Sequence, residues 1–172
     1  MTLPRLTIMS LAAVRAHLAH FGRDDAVVVF ETSSATVELA AAALNVEPAR
    51  IAKTLAVYSA DGASAVLIVV AGDARLSSGD FKRQFGFKPR MLRAEDVELL
   101  TGHAIGGVCP FGNPEGAEVW LDESLRRFEL IWPAAGDPAS AVGLTLAELE
   151  KFSGSHGWID VAGGWRDEGQ TP

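Results

Sequence analysis

Residues 51–70, IAKTLAVYSADGASAVLIVV, decide the fold class of this protein. Aliphatic and β-branched residues fill both ends of the stretch, and Asp61-Gly62 between them is a strong signal for the turn of a β-hairpin. Lys53 is the one charged residue in the first half of this hairpin. A lysine among apolar neighbours is costly to bury unless its ammonium reaches an anion or a cleft. Lys53 is therefore either a ligand-binding residue or a strand-edge residue that extends to solvent.

Helical and strand patterns continue on both sides of the hairpin. Apolar spacing predicts an amphipathic helix that follows Ser10 and ends at Gly22, and an alanine-rich segment predicts a second helix that ends at Asn45. Thr145 and Glu148 form a capping box before a final helix. The remaining predicted elements are a buried strand at 26–30, a short basic helix around Phe81, a helix at 94–100, a helical piece at 123–128, and strands at 119–121, 130–132 and 158–161.

This order of elements predicts a mixed α/β (α+β) fold rather than strict alternation of strands and helices. With 172 residues and 48% hydrophobic content, the chain is expected to form one domain, residues 1–172. We expect the tail at 163–172 to fray.

The charge balance limits the class of partner. The chain has 15 Lys+Arg and 22 Asp+Glu, a net charge of -7, which argues against a protein that coats DNA or RNA backbone. Residues 75–93 are the exception, because they hold six basic residues and one acidic residue. The chain has no signal peptide pattern, no apolar run long enough to span a membrane and one cysteine, Cys109. We therefore expect a cytoplasmic protein without membrane contact or disulfide.

The common catalytic motifs are missing from the sequence. The four histidines have no metal-ligand spacing, so no metal site or cofactor is expected, and neither a phosphate-binding loop nor a serine-nucleophile elbow occurs. Cys109 lies in a glycine-rich loop, but the sequence places no histidine to activate it, which favours a structural role. In the same loop, the amides beside Gly106 could approach a ligand closely and stabilise an oxyanion, or the glycines could form a plain turn.

Several fragments in order resemble the YbaK/prolyl-tRNA synthetase editing-domain family. The resemblance covers about residues 26 to 161 and rests on these fragments: Arg50-Ile51-Ala52-Lys53-Thr54-Leu55, Val69-Val70-Ala71-Gly72-Asp73-Ala74-Arg75-Leu76, Thr101-Gly102, and Gly106-Gly107-Val108-Cys109-Pro110-Phe111-Gly112. Smaller similar pieces are Thr36–Ala41, Val119–Asp122 and the Ala135-Gly136 turn.

The resemblance implies a mixed, barrel-like β-sheet surrounded by helices and a free-standing aminoacyl-tRNA deacylase. It implies that Lys53 engages the acceptor end of the tRNA and that Gly106 belongs to the loop that binds the aminoacyl ester. It also implies that water attacks with help from a ribose hydroxyl, without a protein nucleophile. The implied substrate-binding residues are Thr32, Ser34, Asp73, Gly107, Val108, Cys109, Pro110, Phe111 and Gly136.

The resemblance leaves the substrate and the partner open. A tRNA-Pro that carries alanine, serine, threonine or cysteine fits the family, and association with prolyl-tRNA synthetase is a further expectation. Thr32 and Ser34 are either pocket hydroxyls or caps of the following helix. A module of the same fold that binds tRNA or a synthetase without catalysis is the alternative to the enzyme.

Overall fold

The computed structural model describes residues 3–31 and 36–166. In these residues it contains five α-helices: α1 (Leu3–Ala19), α2 (Val37–Leu44), α3 (Ser78–Phe85), α4 (Ala94–Thr101) and α5 (Leu146–Ser153). The ten strands of the same residues are β1 (Val27–Val29), β2 (Ile51–Tyr58), β3 (Ala65–Ala71), β4 (Arg75–Leu76), β5 (Glu118–Asp122), β6 (Leu130–Pro133), β7 (Ser140–Val142), β8 (Leu144–Thr145), β9 (Trp158–Ile159) and β10 (Ala162–Gly163).

A curled six-stranded sheet in the order β8-β6-β2-β3-β5-β9 forms a half-barrel. Its centre is the predicted hairpin, in which β2 and β3 pair antiparallel with Lys53 opposite Val70. Strand β6 runs parallel to β2, and β5 runs parallel to β3. The mixed, barrel-like α/β fold expected from the sequence is therefore confirmed.

The hydrophobic core lies against the central strand of the sheet. All seven residues of β3 are buried, because the strand has paired neighbours on both edges and packed side chains on both faces. Val14 and Leu18 of α1 are fully buried in the same core. Helix α5 packs beside α1, where the rings of Phe21 and Phe152 stack with centroids 4.4 Å apart.

Local end signals in the sequence are confirmed at two helices. Asn45 ends α2 in a left-handed conformation with φ 58°, which asparagine tolerates better than most residues. Thr145 begins α5 with the predicted capping box: its hydroxyl accepts from the Glu148 N–H at 3.1 Å, and the Glu148 carboxylate accepts from the Thr145 N–H at 3.0 Å.

Three local predictions are corrected by the structure. Helix α1 begins at Leu3 rather than after Ser10, since Pro4 is compatible with the first turn of a helix. The strand predicted as buried at 26–30 is β1, which pairs with β7 outside the main sheet and leaves Val28 and Val29 exposed.

The third correction concerns the C-terminal segment. Gly163, assigned to a frayed tail, pairs with Arg75 between β10 and β4. The Trp165 indole then donates to the Ala162 carbonyl at 2.8 Å, and the rest of the predicted tail, residues 167–172, lies outside the described residues. None of the described helices is long and apolar enough to cross a membrane.

Candidate functional site

A cavity of about 260 Å³ opens beside the central hairpin. Its floor is one face of β2, where the alternation of a strand places Ala52, Thr54 and Ala56 on the same side. The walls come from α2, from the loop around Gly106 and from Trp132 of β6. Small side chains on the floor leave space that larger residues would fill, so the sheet itself creates the cavity.

Lys53 lines this cavity and is half-buried. Its ammonium donates to the Gly72 carbonyl at 3.4 Å. Burial lowers the pKa of Lys53, and the positive charge of Arg75 lowers it further, while Asp73 and Glu38 act in the opposite direction. Lys53 is thus a cation at a cleft rather than a lysine that extends freely to solvent.

The backbone just after β3 lies in close contact with the backbone just before β2. A Cβ atom on Gly72 would lie 2.0 Å from the Pro48 carbonyl oxygen and 2.8 Å from a methyl of Val37, so only glycine fits there. This close approach positions the carbonyl that accepts from Lys53. Asp73, the next residue, does not line the cavity.

Asp73 instead forms a bidentate ion pair with Arg127, with nitrogen–oxygen distances of 2.6 and 2.9 Å. The hydrogen bonds from Arg127 lower the pKa of the Asp73 carboxyl, with burial opposing the shift. Its charge also lies close enough to favour the protonated form of Lys53. Asp73 therefore influences the site indirectly, through its charge on Lys53 and through the adjacent Gly72, whose carbonyl accepts from the Lys53 ammonium.

The glycine-rich loop forms another wall. Gly106, with φ 90°, and Val108 both line the cavity, and within the described residues their amide N–H groups have no hydrogen-bond acceptor. The N–H of Gly107 is different, because it donates to the Ala104 carbonyl at 2.9 Å. Two amides of this loop thus lack an acceptor within the described residues, and the third closes the turn.

Gly107 brings this loop against the predicted Ala135-Gly136 turn. A Cβ atom on Gly107 would lie 2.8 Å from the carbonyl of Gly136 and from the amide nitrogen of Asp137. The turn is itself held by Ser140, whose hydroxyl accepts from the Ala135 and Asp137 amides. Neither Gly107 nor Gly136 lines the cavity, so both act as supports for the residues that do.

The other predicted loop residues, Cys109, Pro110 and Phe111, are buried behind the cavity wall. Burial raises the pKa of the Cys109 thiol to about 12. No histidine was predicted beside this cysteine, but His103 Nε2 lies 3.4 Å from its Sγ.

This cysteine–histidine pair is not arranged as a catalytic pair. Nε2 of His103 lies 2.7 Å from the Phe111 carbonyl oxygen, so it carries a hydrogen and cannot accept the thiol proton of Cys109. Burial also lowers the pKa of His103, which disfavours an imidazolium that would stabilise a thiolate. Both side chains are buried in the described structure.

Two predicted residues, Thr32 and Ser34, lie outside the described residues. The hydroxyl that caps α2 belongs to Thr36, which accepts from the Leu39 N–H at 3.1 Å.

Two residues that line the cavity, Thr54 and Trp132, were not predicted from the sequence. The Thr54 hydroxyl is buried without a hydrogen-bond partner in the described part of the chain, and the period-2 alternation beside Lys53 was the signal that could have found it. Trp132 packs its ring on Gly143, where a Cβ atom would lie 2.8 Å from the indole. No local signal marks that contact.

Comparison with known proteins agrees with this fold and with the sequence resemblance. Residues 31–152 match the family model of the aminoacyl-tRNA editing domain. The uncharacterized protein YwhH of Bacillus subtilis (strain 168) is 49% identical over 157 residues, which is 91% of this chain and 99% of that protein.

Solved structures also match the chain. A proposed trans-editing enzyme for prolyl-tRNA synthetase has a TM-score of 0.80 and 33% identity, covering 90% of this chain and 98% of that chain. The hypothetical protein APE2540 has a TM-score of 0.72 and 29% identity, covering 80% and 90%. The family match spans well over half of the sequence, and the protein therefore belongs to the aminoacyl-tRNA editing domain family.

Proposed function

We propose that this protein is a deacylase that acts in trans on mischarged tRNA. The substrate is the ester between a tRNA, by preference tRNA-Pro, and a small amino acid such as alanine, serine, threonine or cysteine. Family membership and the similarity to a proposed trans-editing enzyme for prolyl-tRNA synthetase support this class of substrate. The proposal implies action in the cytoplasm, in contact with aminoacyl-tRNA and in association with prolyl-tRNA synthetase.

One observation carries the proposal: one small cavity is lined both by Lys53, whose ammonium donates to the Gly72 carbonyl, and by Gly106 and Val108, whose amides have no acceptor within the described residues. A cation suits the charged nucleotide end of the substrate, and free amides suit an ester carbonyl. At about 260 Å³ the cavity lies below the range of about 300–1,000 Å³ that holds drug-sized ligands, which favours a small aminoacyl group.

In the proposed reaction, water attacks the carbonyl carbon of the ester. The oxyanion that forms accepts hydrogen bonds from the amides of Gly106 and Val108, and one such donor contributes about 3 kcal/mol to transition-state stabilisation. The tetrahedral intermediate then breaks its bond to the ribose oxygen, which takes the proton released by the water, and the free amino acid leaves. A ribose hydroxyl that helps to position the water completes the proposal, and Cys109 takes no part.

The test is hydrolysis of a panel of tRNAs charged with alanine, serine, threonine, cysteine and proline. We expect loss of one or more small aminoacyl esters, with Lys53→Ala lowering kcat/KM at least about 100-fold while the protein stays folded. Gly106→Val should also abolish turnover, because a β-branched residue does not adopt φ 90° without strain and the loop would be displaced. If no ester in the panel is hydrolysed, the deacylase proposal fails, and the non-catalytic binding module of the same fold becomes the better account.

A further inference from the structure

Five side chains stack in alternation on the surface next to the cavity. The guanidinium groups of Arg50 and Arg127 each lie 4.8 Å from the centre of the Phe128 ring. Arg127 also lies 4.9 Å from the Trp165 ring, and Arg166 lies 4.1 Å from the same ring. We call Arg50, Phe128, Arg127, Trp165 and Arg166 the arginine ladder.

The arginine ladder is connected to the cavity through Asp73 and Gly72. Arg127 binds both carboxylate oxygens of Asp73, and the residue before Asp73 supplies the carbonyl that accepts from Lys53. Arg127 is the middle member of the ladder, and Arg50 at one of its ends directly precedes Ile51, which lines the cavity. A chain that leaves the cavity past Lys53 therefore meets the ladder first.

Positive charges slightly outnumber negative charges at this edge of an acidic protein. The three arginines of the ladder, Lys53 and Arg75 are five cations, and the carboxylates that pair with them or act on Lys53 are Glu38, Glu47, Asp73 and Asp160. The rest of the chain has the opposite balance, with ten basic and eighteen acidic residues. Arg75 has no ion-pair partner within the described residues, so its charge is available to an anion.

Stacked arginines are suited to hold a nucleotide chain. Ring contacts order the guanidinium groups before binding, so less side-chain entropy is lost when they meet a ligand. A planar guanidinium binds a phosphate with two parallel hydrogen bonds, and its flat face stacks on an unpaired base.

We propose that the arginine ladder and Arg75 bind the backbone of the unpaired 3′ end of the RNA as it enters the cavity. This inference rests on the proposed function for the identity of the RNA and adds the course that the RNA takes over the surface. Of the basic segment 75–93, the proposed surface includes only Arg75.

The same contacts fasten the C-terminal strand, as Arg127 reaches the Trp165 carbonyl at 3.5 Å. A purely structural ladder would lower stability when changed and would affect every substrate equally. The experiment therefore needs a matched pair of variants that each lose two positive charges. The first, called the track variant, combines Arg75→Gln with Arg166→Gln and changes the proposed RNA-binding surface. The second, called the α3 variant, combines Lys82→Gln with Arg83→Gln and changes exposed residues of α3 in the basic segment 75–93.

Binding is measured by fluorescence anisotropy with an uncharged RNA hairpin that has an unpaired 3′ strand, at several salt concentrations. We expect the track variant to weaken binding about 10- to 100-fold and to reduce the slope of log K against log salt by about 1.4, since each single-strand phosphate contact contributes about 0.7. The α3 variant should change the affinity less than about 2-fold. Equal weakening by both variants, or greater weakening by the α3 variant, would overturn the proposed course of the RNA.

Hydrolysis separates a binding track from a structural support. For the track variant we expect kcat/KM to fall at least about tenfold more with aminoacyl-tRNA than with a 3′-aminoacyl-adenosine, which lacks the chain that would reach the ladder. Equal losses on the two substrates together with a lower Tm would show a structural role and refute the inference. The two proposals can also be separated from each other. If the variants change RNA binding as expected but the protein hydrolyses no ester, the deacylase proposal fails and the proposed RNA-binding role of the arginine ladder and Arg75 stands.

Discussion

Substitution of Gly107 by alanine tests whether the contact between the loop and the Gly136 turn positions the site. The new Cβ atom would lie 2.8 Å from backbone atoms of Gly136 and Asp137, whereas ordinary contact begins at 3.4 Å. Because backbone atoms cannot rotate away, the loop and the turn must separate by about 0.6 Å. Overpacking of this kind typically costs about 1–3 kcal/mol of folding free energy.

The displacement acts on the amides of Gly106 and Val108, which flank the substituted residue. A misplacement of about 1 Å can cost about 100-fold in rate, so we expect kcat/KM for deacylation to fall about 10- to 100-fold in Gly107→Ala. The assay is single-turnover hydrolysis of the aminoacyl-tRNA identified in the panel, with urea denaturation of the same samples.

A matched control is Gly116→Ala, because the new Cβ atom there would lie 3.5 Å from the nearest atom, a carbon of Ser64. We expect this variant to keep its activity and stability within about 2-fold and about 0.5 kcal/mol. Normal turnover and stability in Gly107→Ala would refute the conclusion that the turn supports the loop.

Three further outcomes are expected. Cys109→Ala should keep deacylation within about 2-fold, and the native thiol should resist alkylation at pH 8, because a pKa of about 12 leaves on the order of one thiolate in ten thousand; rapid alkylation of the folded protein would contradict this. Thr54→Val should raise the free energy of unfolding by about 1 kcal/mol, since it replaces a buried hydroxyl without a partner by a methyl of the same shape; a clear loss in urea denaturation would show that the hydroxyl is satisfied. Asp73→Asn should be less stable than the wild type at pH 7, and the difference in unfolding free energy should shrink as pH falls below about 4. The reason is that Arg127 holds the pKa of Asp73 below its unfolded value, so the stabilising charge is lost on protonation. A difference in unfolding free energy that stays constant down to pH 3 would show that this ion pair does not cause it.

Local sequence signals were sufficient for the elements that depend on neighbouring residues. The Asp61-Gly62 hairpin, the Asn45 helix end and the Thr145 capping box all occur as predicted. Each depends on contacts within a few residues, so its pattern can be read without knowing the rest of the fold. The prediction that Ser10 precedes the first helix was wrong, because a serine that can cap a helix also occurs within one.

The contacts that were not predicted depend on how the chain folds rather than on a local pattern. His103 and Cys109 are six residues apart, and only the bend of the loop places their side chains 3.4 Å from each other. Gly107 meets the Gly136 turn for a steric reason that no composition or spacing reports.

The sequence by itself determined the family, the central hairpin and the identity of Lys53 as an unusual residue, because these rest on ordered motifs and on the cost of burying a charge. The tertiary structure decided which loop residues face the cavity and which support it from behind. It also decided which arginines and aromatic rings stack together: the arginine ladder combines residues from position 50 to position 166. Charges distant in sequence form one surface only when the sheet and the C-terminal strand bring their backbones together.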